Sequence, residues 1–576
     1  MAYNIAQNKE ECHKQLVSLT AAFQKQYGDF KKKAYSEAQL RIDFLNPFLK
    51  SFGWDVDNEE QKTQFLRDVI QEESIDVEEE QLTKKNPDYT LRVFGNRQLF
   101  VEAKKVSIDI TTSKTSAFQT KRYGWSANLG MSILTNFEYL VIYDCRYKPN
   151  ATDEAHVSRF KVFHYLEYIN KLEEIYNYLS YEAINLGALN DIFPLEIKGG
   201  NTFDDFFLDS IERWRGNLAV NVVKNNNDLT GEDINFLIQR LLNRIIFLRI
   251  CEDREIEKYE NLRSVTSYDG LKSLFSVSDQ KYNSGLFDFI EDDLSLNIQI
   301  DDNILIDIFN ELYYPVSPYD FSVIDPTILS QIYEKYLGSR IELTDNNSVT
   351  IVAEPEVAAS NGVVSTPKKV VRQIITETLD ILFERINLEE SESINIADIC
   401  CGSGTFLISL FDYLIEKRTT FLLAEGITDS TKINQTDTNT WHLTLLEKQR
   451  ILTENIFGVD VNPYATEVTR FSLLLKLIEN ENENTISYYL AHQNQKVLPN
   501  LYENVKCGNS LLDNQYFIYD ESAVENDELL FKLKPFEWED EFPFLRETGG
   551  FDVGCSVCQL CDAPLFSSLS IRFRSP

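Results

Sequence analysis

The sequence predicts a chain of several domains, partly α/β and partly α+β, and three observations carry that expectation. Its 576 residues give room for three or four domains of ordinary size. The stretch Asn395-Ile-Ala-Asp-Ile-Cys-Cys-Gly-Ser-Gly-Thr-Phe-Leu407 reads as a buried strand, a glycine turn and the start of a helix, the repeating unit of a doubly wound sheet. Around it the texture differs. Strand-like runs mark the chain up to about Tyr147, and helical spacing dominates from about Thr152 to Gly338.

Taken in order, Leu40, Phe44, Phe48 and Phe52 fall at helical spacing, and Gly53 closes that helix. Short strands are expected at Tyr89–Phe94, Leu99–Ala103 and Tyr139–Tyr143. The next stretch holds a nearly continuous apolar helix at Phe236–Ile250, interrupted by Arg240, Arg244 and Arg249, and another at Ile328–Leu337. Asp345–Ser365 reads as a linker. Pro367 then suits the first turn of a helix at Lys368–Arg385, where the missing N–H is harmless. A strand at Ile394–Ile399, a helix at Thr405–Lys417, a polar insertion at 419–440, a strand at Ile456–Val459 and a helix at Pro463–Ile478 complete the α/β pattern. After Val553 periodicity stops. The segments are therefore 1–150, 151–345, 346–553 and 554–576.

Hydrophobic residues make up 43% of the chain, enough for sizeable cores. The net charge of −35 opposes any chain-wide attraction to nucleic acid. Binding to DNA then needs a local basic surface, and residues 84–122 offer one. Lys84, Lys85, Arg92, Arg97, Lys104, Lys105, Lys114, Lys121 and Arg122 stand there against Asp88, Glu102 and Asp109. No apolar run reaches the roughly 18 residues of a membrane span, and the polar Met1–Gln15 is no secretory leader. Scattered cysteines fit a reducing cytoplasm. The five histidines have no triad or metal-ligand setting and read as structural or surface residues.

Two constellations carry chemistry. In the first, Asn86-Pro-Asp88 precedes Glu102-Ala-Lys104. Glu102 and Lys104, two apart on a strand, face the same way, and Asp88 falls at the edge of the neighbouring strand. Two carboxylates hold a hard, oxygen-seeking cation such as Mg²⁺. The metal activates water, and the lysine offsets growing charge at phosphorus. A bare Asp…Glu-x-Lys also describes a surface strand with a salt bridge. With its flanking residues, however, the pattern resembles the PD-(D/E)xK nucleases, in the form found at the N-terminus of restriction subunits. That resemblance makes Asp88, Glu102 and Lys104 catalytic. It adds Glu37, on the first helix with Arg41 one turn on, to the metal site beside Asp88 and Glu102. It also adds Gln119, which shares a helix face with Tyr123.

In the second, Asp398 leaves a strand just before Cys401-Gly-Ser-Gly404, and Asp460 ends the next strand in Gly458-Val-Asp-Val-Asn-Pro463. Glycines at 402 and 404 allow close approach of a ligand, and an acidic residue at the following strand end binds ribose hydroxyls. The gap between them is much longer than the roughly 20 residues of the dinucleotide fingerprint, which disfavours NAD. Together with Ser365-Thr-Pro-Lys-Lys-Val-Val371 and Lys506-Cys-Gly-Asn-Ser-Leu-Leu512, the set is similar to the core of adenine-specific DNA methyltransferases. By that resemblance the cofactor is S-adenosylmethionine. Thr366 and Pro367 border its methionine part, and Asp398, Gly402 and Gly404 line its amino-acid end. Asp460 takes the ribose and Asn509 lies near the adenine ring. Ile399-Cys400 departs from the Pro-Ala or Pro-Thr of relatives.

The two resemblances, joined by a helical connector at 151–345, are those of a Type IIG restriction–modification enzyme acting on double-stranded DNA. The fold they imply is a restriction-endonuclease-like domain, the connector and a Rossmann-like methyltransferase core. The core reads as incomplete, because no Asn-Pro-Pro-Tyr occurs anywhere in the sequence. That motif holds the target adenine and stacks on the flipped base. The expectation is therefore cofactor binding with little methyl transfer. Residues 554–576 read as an aberrant, out-of-register tail, or alternatively as a metal knuckle on Cys555, Cys558 and Cys561, for which no fourth ligand stands nearby. The other readings are a non-catalytic truncated remnant and a methyltransferase with a different substrate. Oligomeric state has no signal in the sequence.

Overall fold

The computed structural model describes residues 4–32, 34–64, 66–71, 86–195, 202–282, 285–287, 292–313, 316–344, 348–354, 366–437, 440–493, 496–513 and 533–555. The chain divides into two compact units. One comprises Met1–Phe207, Asn310–Ile324 and Gln435–Trp441; the other comprises Leu208–Phe309, Asp325–Asn434 and His442–Pro576.

In the first unit six strands form one sheet in chain order: β1 (Val69–Gln71), β2 (Tyr89–Val93), β3 (Asn96–Ala103), β4 (Met131–Thr135), β5 (Tyr139–Asp144) and β6 (Arg159–His164). Strands β3 and β4 run parallel, and the other neighbours are antiparallel. Strand β3 shows why helices cover both faces. Leu99, Val101 and Ala103 alternate into a core shared with Phe23, Phe44 and Phe48. Phe100 points the other way, against Tyr123 of the helix Lys114–Ser126. By the same alternation Glu102 lies on the Phe100 face.

The helix expected from Leu40, Phe44, Phe48 and Phe52 runs as three consecutive stretches, Glu37–Leu40, Arg41–Leu45 and Asn46–Ser51, the middle one a π-turn. Ser36 opens it with a reciprocal cap to Gln39, and Gly53 stops it at φ +88°. A longer helix, Lys9–Phe30, comes before it, so the Glu37 element is the second helix, where the sequence placed it first. Strand β4 was not expected. All five of its residues are buried, so the polar–apolar alternation that marks a half-exposed strand is absent. The sheet also continues past residue 150, with β6 inside the stretch expected to be helical.

The second unit holds four parallel strands: β7 (Ile396–Asp398), β8 (Ile456–Asp460), β9 (Val505–Cys507) and β10 (Val553–Cys555), in the spatial order β9-β8-β7-β10. Numbered along the chain this is 3-2-1-4, the order at the centre of a doubly wound sheet. The order in which strands are added reverses beside β7. Helices Thr405–Ala424 and Pro463–Leu477 follow β7 and β8, tied together by Lys476 and Asp412 at 2.8 Å. The first of these helices overruns its expected end at Lys417. Thr419 and Thr420 return their hydroxyls to the carbonyls of Ile415 and Glu416, and Leu422 is buried. The polar insertion therefore starts later than the sequence indicated. Strand β10 carries the sheet through Gly554 and Cys555, in register with Ala397 and Asp398. The rest of the expected tail, with Cys558 and Cys561, lies outside the described residues. Among the described residues no helix is long and apolar enough to cross a membrane.

Candidate functional site

In the first unit the register of β2 on β3 places Tyr89 opposite Val101, so Asp88 arrives beside Glu102. The Asp88 carboxylate is fully buried. It accepts the Ala103 N–H at 2.7 Å and meets Arg41 at 3.3 Å. Arg41 also donates to the Asp88 carbonyl at 3.2 Å and stacks over the Tyr89 ring at 4.8 Å. Glu102 is buried and accepts Lys104 Nζ at 2.6 Å, while the Lys104 N–H is fixed to the Thr135 carbonyl at 3.0 Å. Burial works to lower the Lys104 pKa, but the Glu102, Glu37 and Asp88 carboxylates carry it above the ordinary lysine range. All three carboxylates therefore act on one ammonium. Gln119 donates to Tyr123 Oη at 3.1 Å. Tyr123 packs on Phe100, so this helix face covers the side of β3 that carries Glu102.

Among the described residues no three His, Cys, Asp or Glu side chains gather as a metal cage. Glu37 does not stand with Asp88 and Glu102 as a ready-made set. Two oxygen donors at a strand end still fit Mg²⁺, which keeps most of its waters and takes one or two carboxylates.

Among the described residues of the basic run, several cations are engaged within the unit. Arg97 donates to the Val323 carbonyl at 2.6 Å, and Lys121 is buried on Asp153 at 3.0 Å. Arg122 reaches Asp320 at 3.6 Å, and Lys114 pairs with Glu154 at 2.5 Å. Lys84 and Lys85 lie outside the described residues. Much of the charge that read as a DNA face is spent inside the unit.

In the second unit the strand ends converge. Asp398 closes β7 and Asp460 closes β8, and Asn509 lies just past β9. Gly402 and Gly404 have φ of +52° and +87°. A Cβ on Gly404 would meet Thr469 at 2.9 Å, whereas a Cβ on Gly402 would enter open space. The first glycine thus opens the cradle and the second lets the helix pack. Asp460 braces the turn: its carboxylate accepts the Gly402 and Asn462 N–H groups, each at 2.9 Å. Thr469 adds a bond to the Gly402 carbonyl at 2.7 Å. Ser330 donates to the Ser403 carbonyl at 2.7 Å, and Ser403 donates to Glu334 at 3.3 Å. No local motif announced Thr469, Ser330 or Glu334, because Thr469 comes from the helix Pro463–Leu477 and the other two from the helix Pro326–Tyr336, far from the turn in sequence.

Asp398 is buried with the Cys400 N–H at 3.1 Å. Burial first, and then the Asp460 charge, push its carboxyl up to about 7 against the Cys400 hydrogen bond. Asn509 donates its N–H to the Lys534 carbonyl at 2.7 Å and holds the Leu511 N–H at 3.2 Å, while Gly508 N–H bonds the Asp460 carbonyl at 2.9 Å. Asp460 and Asn509 therefore border one loop junction. Thr366 and Pro367 precede the helix Lys368–Phe383. Lys368 pairs with Asp325 at 2.8 Å, and Asp325 caps the helix that carries Ser330. Their link to the turn runs through that helix. The open approach at Gly402 and the acidic strand ends fit a ligand with a cationic end and ribose hydroxyls.

Residues 454–553 match the family described as Eco57I restriction-modification methylase. Over 91% of its length the chain is 35% identical to the type II restriction enzyme and methyltransferase RM.Eco57I of Escherichia coli, of which it covers 51%. It is 24% identical, over 83% of this chain and 46% of the relative, to RM.MjaORFECS2P of Methanocaldococcus jannaschii. The chain thus spans about half the length of the curated relatives it matches. The solved DrdV–DNA complex aligns at 13% identity over 86% of this chain and 40% of that one, with a TM-score of 0.31, too distant to bear on the fold. With this identity sustained along nine-tenths of its length, the chain is similar to fused type II restriction enzymes and methyltransferases, and residues 454–553 carry their Eco57I-type methylase segment.

Proposed function

We propose that the second unit binds S-adenosylmethionine across the Cys401–Gly404 turn, for methyl transfer to the exocyclic amine of adenine in double-stranded DNA. We propose further that the first unit is a Mg²⁺-dependent DNA endonuclease. The observation that carries the cofactor reading is the open cradle at Gly402, set between Asp398 and Asp460 beside the strand where the sheet reverses. When bound, the cofactor supplies an electrophilic methyl group. The chain's own residues hold it. Asp398 receives the cationic amino-acid end, with Thr366 and Pro367 bordering that side, and Gly402 and Gly404 keep the turn clear. Asp460, while bracing Gly402, offers remaining lone pairs to the ribose, and Asn509 flanks the adenine.

In the nuclease site, magnesium supplies an activated water and neutralises charge at phosphorus. Asp88 and Glu102 hold it, and Arg41 fixes the Asp88 backbone. Lys104, kept charged by its carboxylates, offsets charge as the phosphodiester opens. Gln119 orients substrate on the Glu102 side.

One sequence feature favours a second reading, a chain that binds cofactor and DNA without methylating. The 576 residues hold no Asn-Pro-Pro-Tyr to grip the flipped adenine. On that second reading, purified chain binds S-adenosylmethionine in calorimetry while transferring no labelled methyl group to DNA. Transfer at a normal rate would refute the second reading, and absent binding would refute the cofactor site. Glu102→Ala and Lys104→Ala are expected to abolish Mg²⁺-dependent cleavage; unchanged cutting removes the nuclease assignment.

A further inference from the structure

The helix Gly231–Asp253 lies in the stretch that reads as a connector, yet two adjacent side chains on it reach the frame of the cofactor site. Gln239 donates to the Tyr464 carbonyl at 3.2 Å, just past the Asp460–Asn462 turn. Arg240, buried, donates to Tyr502 Oη and lies 3.6 Å from Glu467. Tyr502 Oη also donates to Glu467 at 3.1 Å. Burial and then the Glu467 charge push the phenol pKa up, so the hydroxyl stays a donor.

Arg470 closes the set. It pairs with Glu467 at 2.7 Å, lies over the Tyr502 ring at 4.0 Å, and gives two N–H bonds to the Val505 carbonyl at 3.1 and 2.8 Å. Val505 opens β9, whose exit is Cys507-Gly508-Asn509. On the far side of Arg240, buried Asp292 meets it at 3.9 Å and meets Arg244 at 2.8 Å, which fixes the direction of the guanidinium. One turn of the connector helix thus meets the first turn of the helix that follows Asp460 and, through Tyr502, Glu467 and Arg470, the start of the strand that leads to Asn509. The Asp398 side is braced separately, through Ser330 and Ser403.

We propose that Gln239 and Arg240 are positioning residues for the adenosine half of the cofactor. They act through Tyr464 on the helix start that follows the Asp460 loop, and through Tyr502, Glu467 and Arg470 on the start of β9, which leads into the Asn509 loop. This rests on the S-adenosylmethionine reading above. A ligand that spans two loops gains affinity when both are held at a fixed separation before it arrives.

The test uses the full chain, with S-adenosylmethionine and 5′-methylthioadenosine, which keeps the adenosine half and lacks the amino-acid end. Tyr502→Phe deletes one hydroxyl and leaves the ring under Arg470. Gln239→Met deletes the bond to Tyr464. Each is expected to weaken both ligands by the same factor, about fivefold for a lost hydrogen bond. The shape of the pH profile of S-adenosylmethionine binding should stay as in the wild type, because the Asp398 end is untouched. If one variant fails to fold, the other decides. Variants that bind both ligands like the wild type, or lose S-adenosylmethionine alone, overturn the proposal. A wild type that binds neither ligand overturns the cofactor reading, and this inference with it.

Discussion

Asp398 is a carboxyl whose burial has a measurable signature. Its pKa in the folded chain is pushed up to about 7, first by burial and then by Asp460, against about 3.9 in an unfolded chain. A raised carboxyl contributes stability that is full below about pH 4 and is lost as pH rises through about 7. The loss for this group is at most about 4 kcal/mol. Urea unfolding of the ligand-free chain between pH 5 and pH 8, in the same buffer series, should show stability falling, and Asp398→Asn should flatten that slope. Retention of the slope in the variant would assign it to another group. The turn glycines separate in a different way. Gly404→Ala forces a Cβ to 2.9 Å from Thr469 at φ +87°, so it should destabilise the fold by about 2–3 kcal/mol. Gly402→Ala meets nothing within 4 Å and should cost only about 1 kcal/mol of backbone strain. It should instead block the ligand, weakening S-adenosylmethionine at least tenfold in calorimetry. Reversed effects at the two positions would mean that the cradle lies elsewhere.

At the scale of elements, the pairing of β2 with β3 explains why Asp88 and Glu102 should behave differently. Asp88 accepts the Ala103 N–H across the strand pair and neutralises buried Arg41. Asp88→Ala removes the buried carboxylate that meets this guanidinium and the Ala103 N–H, at a cost of about 3–5 kcal/mol. Lost cleavage in that variant will be partly lost fold. Glu102→Gln keeps an acceptor for Lys104, and its thermal midpoint should stay near that of the wild type while Mg²⁺-dependent cleavage disappears. A midpoint that falls as far as in Asp88→Ala would make Glu102 structural. The same elements show what was legible. Asp88, Glu102 and Lys104 could be placed together because period-two alternation and a short connection bring them to one edge. The Gly402–Gly404 turn could be read because its φ values demand glycine. Strand β4 was illegible because full burial removes alternation. Thr469, Ser330 and Gln239 were illegible because each reaches its site from a remote helix, at no spacing that local sequence records.

For the whole molecule, charge makes the sharpest demand. A net charge of −35 repels DNA, and Arg97, Lys114, Lys121 and Arg122 are engaged within their own unit. In an ordinary basic protein, released counterions make affinity fall by about 10³–10⁵ between 50 and 200 mM salt when six to ten phosphates are contacted. Here added salt also screens the repulsion between the acidic surface and the duplex, which acts in the opposite direction. The expected net fall over that range is under about 100-fold, with Mg²⁺ held constant. Fluorescence anisotropy with a labelled duplex measures it directly. A drop of a thousandfold or more would require a dense, free basic surface, which the engaged Arg97, Lys114, Lys121 and Arg122 do not supply.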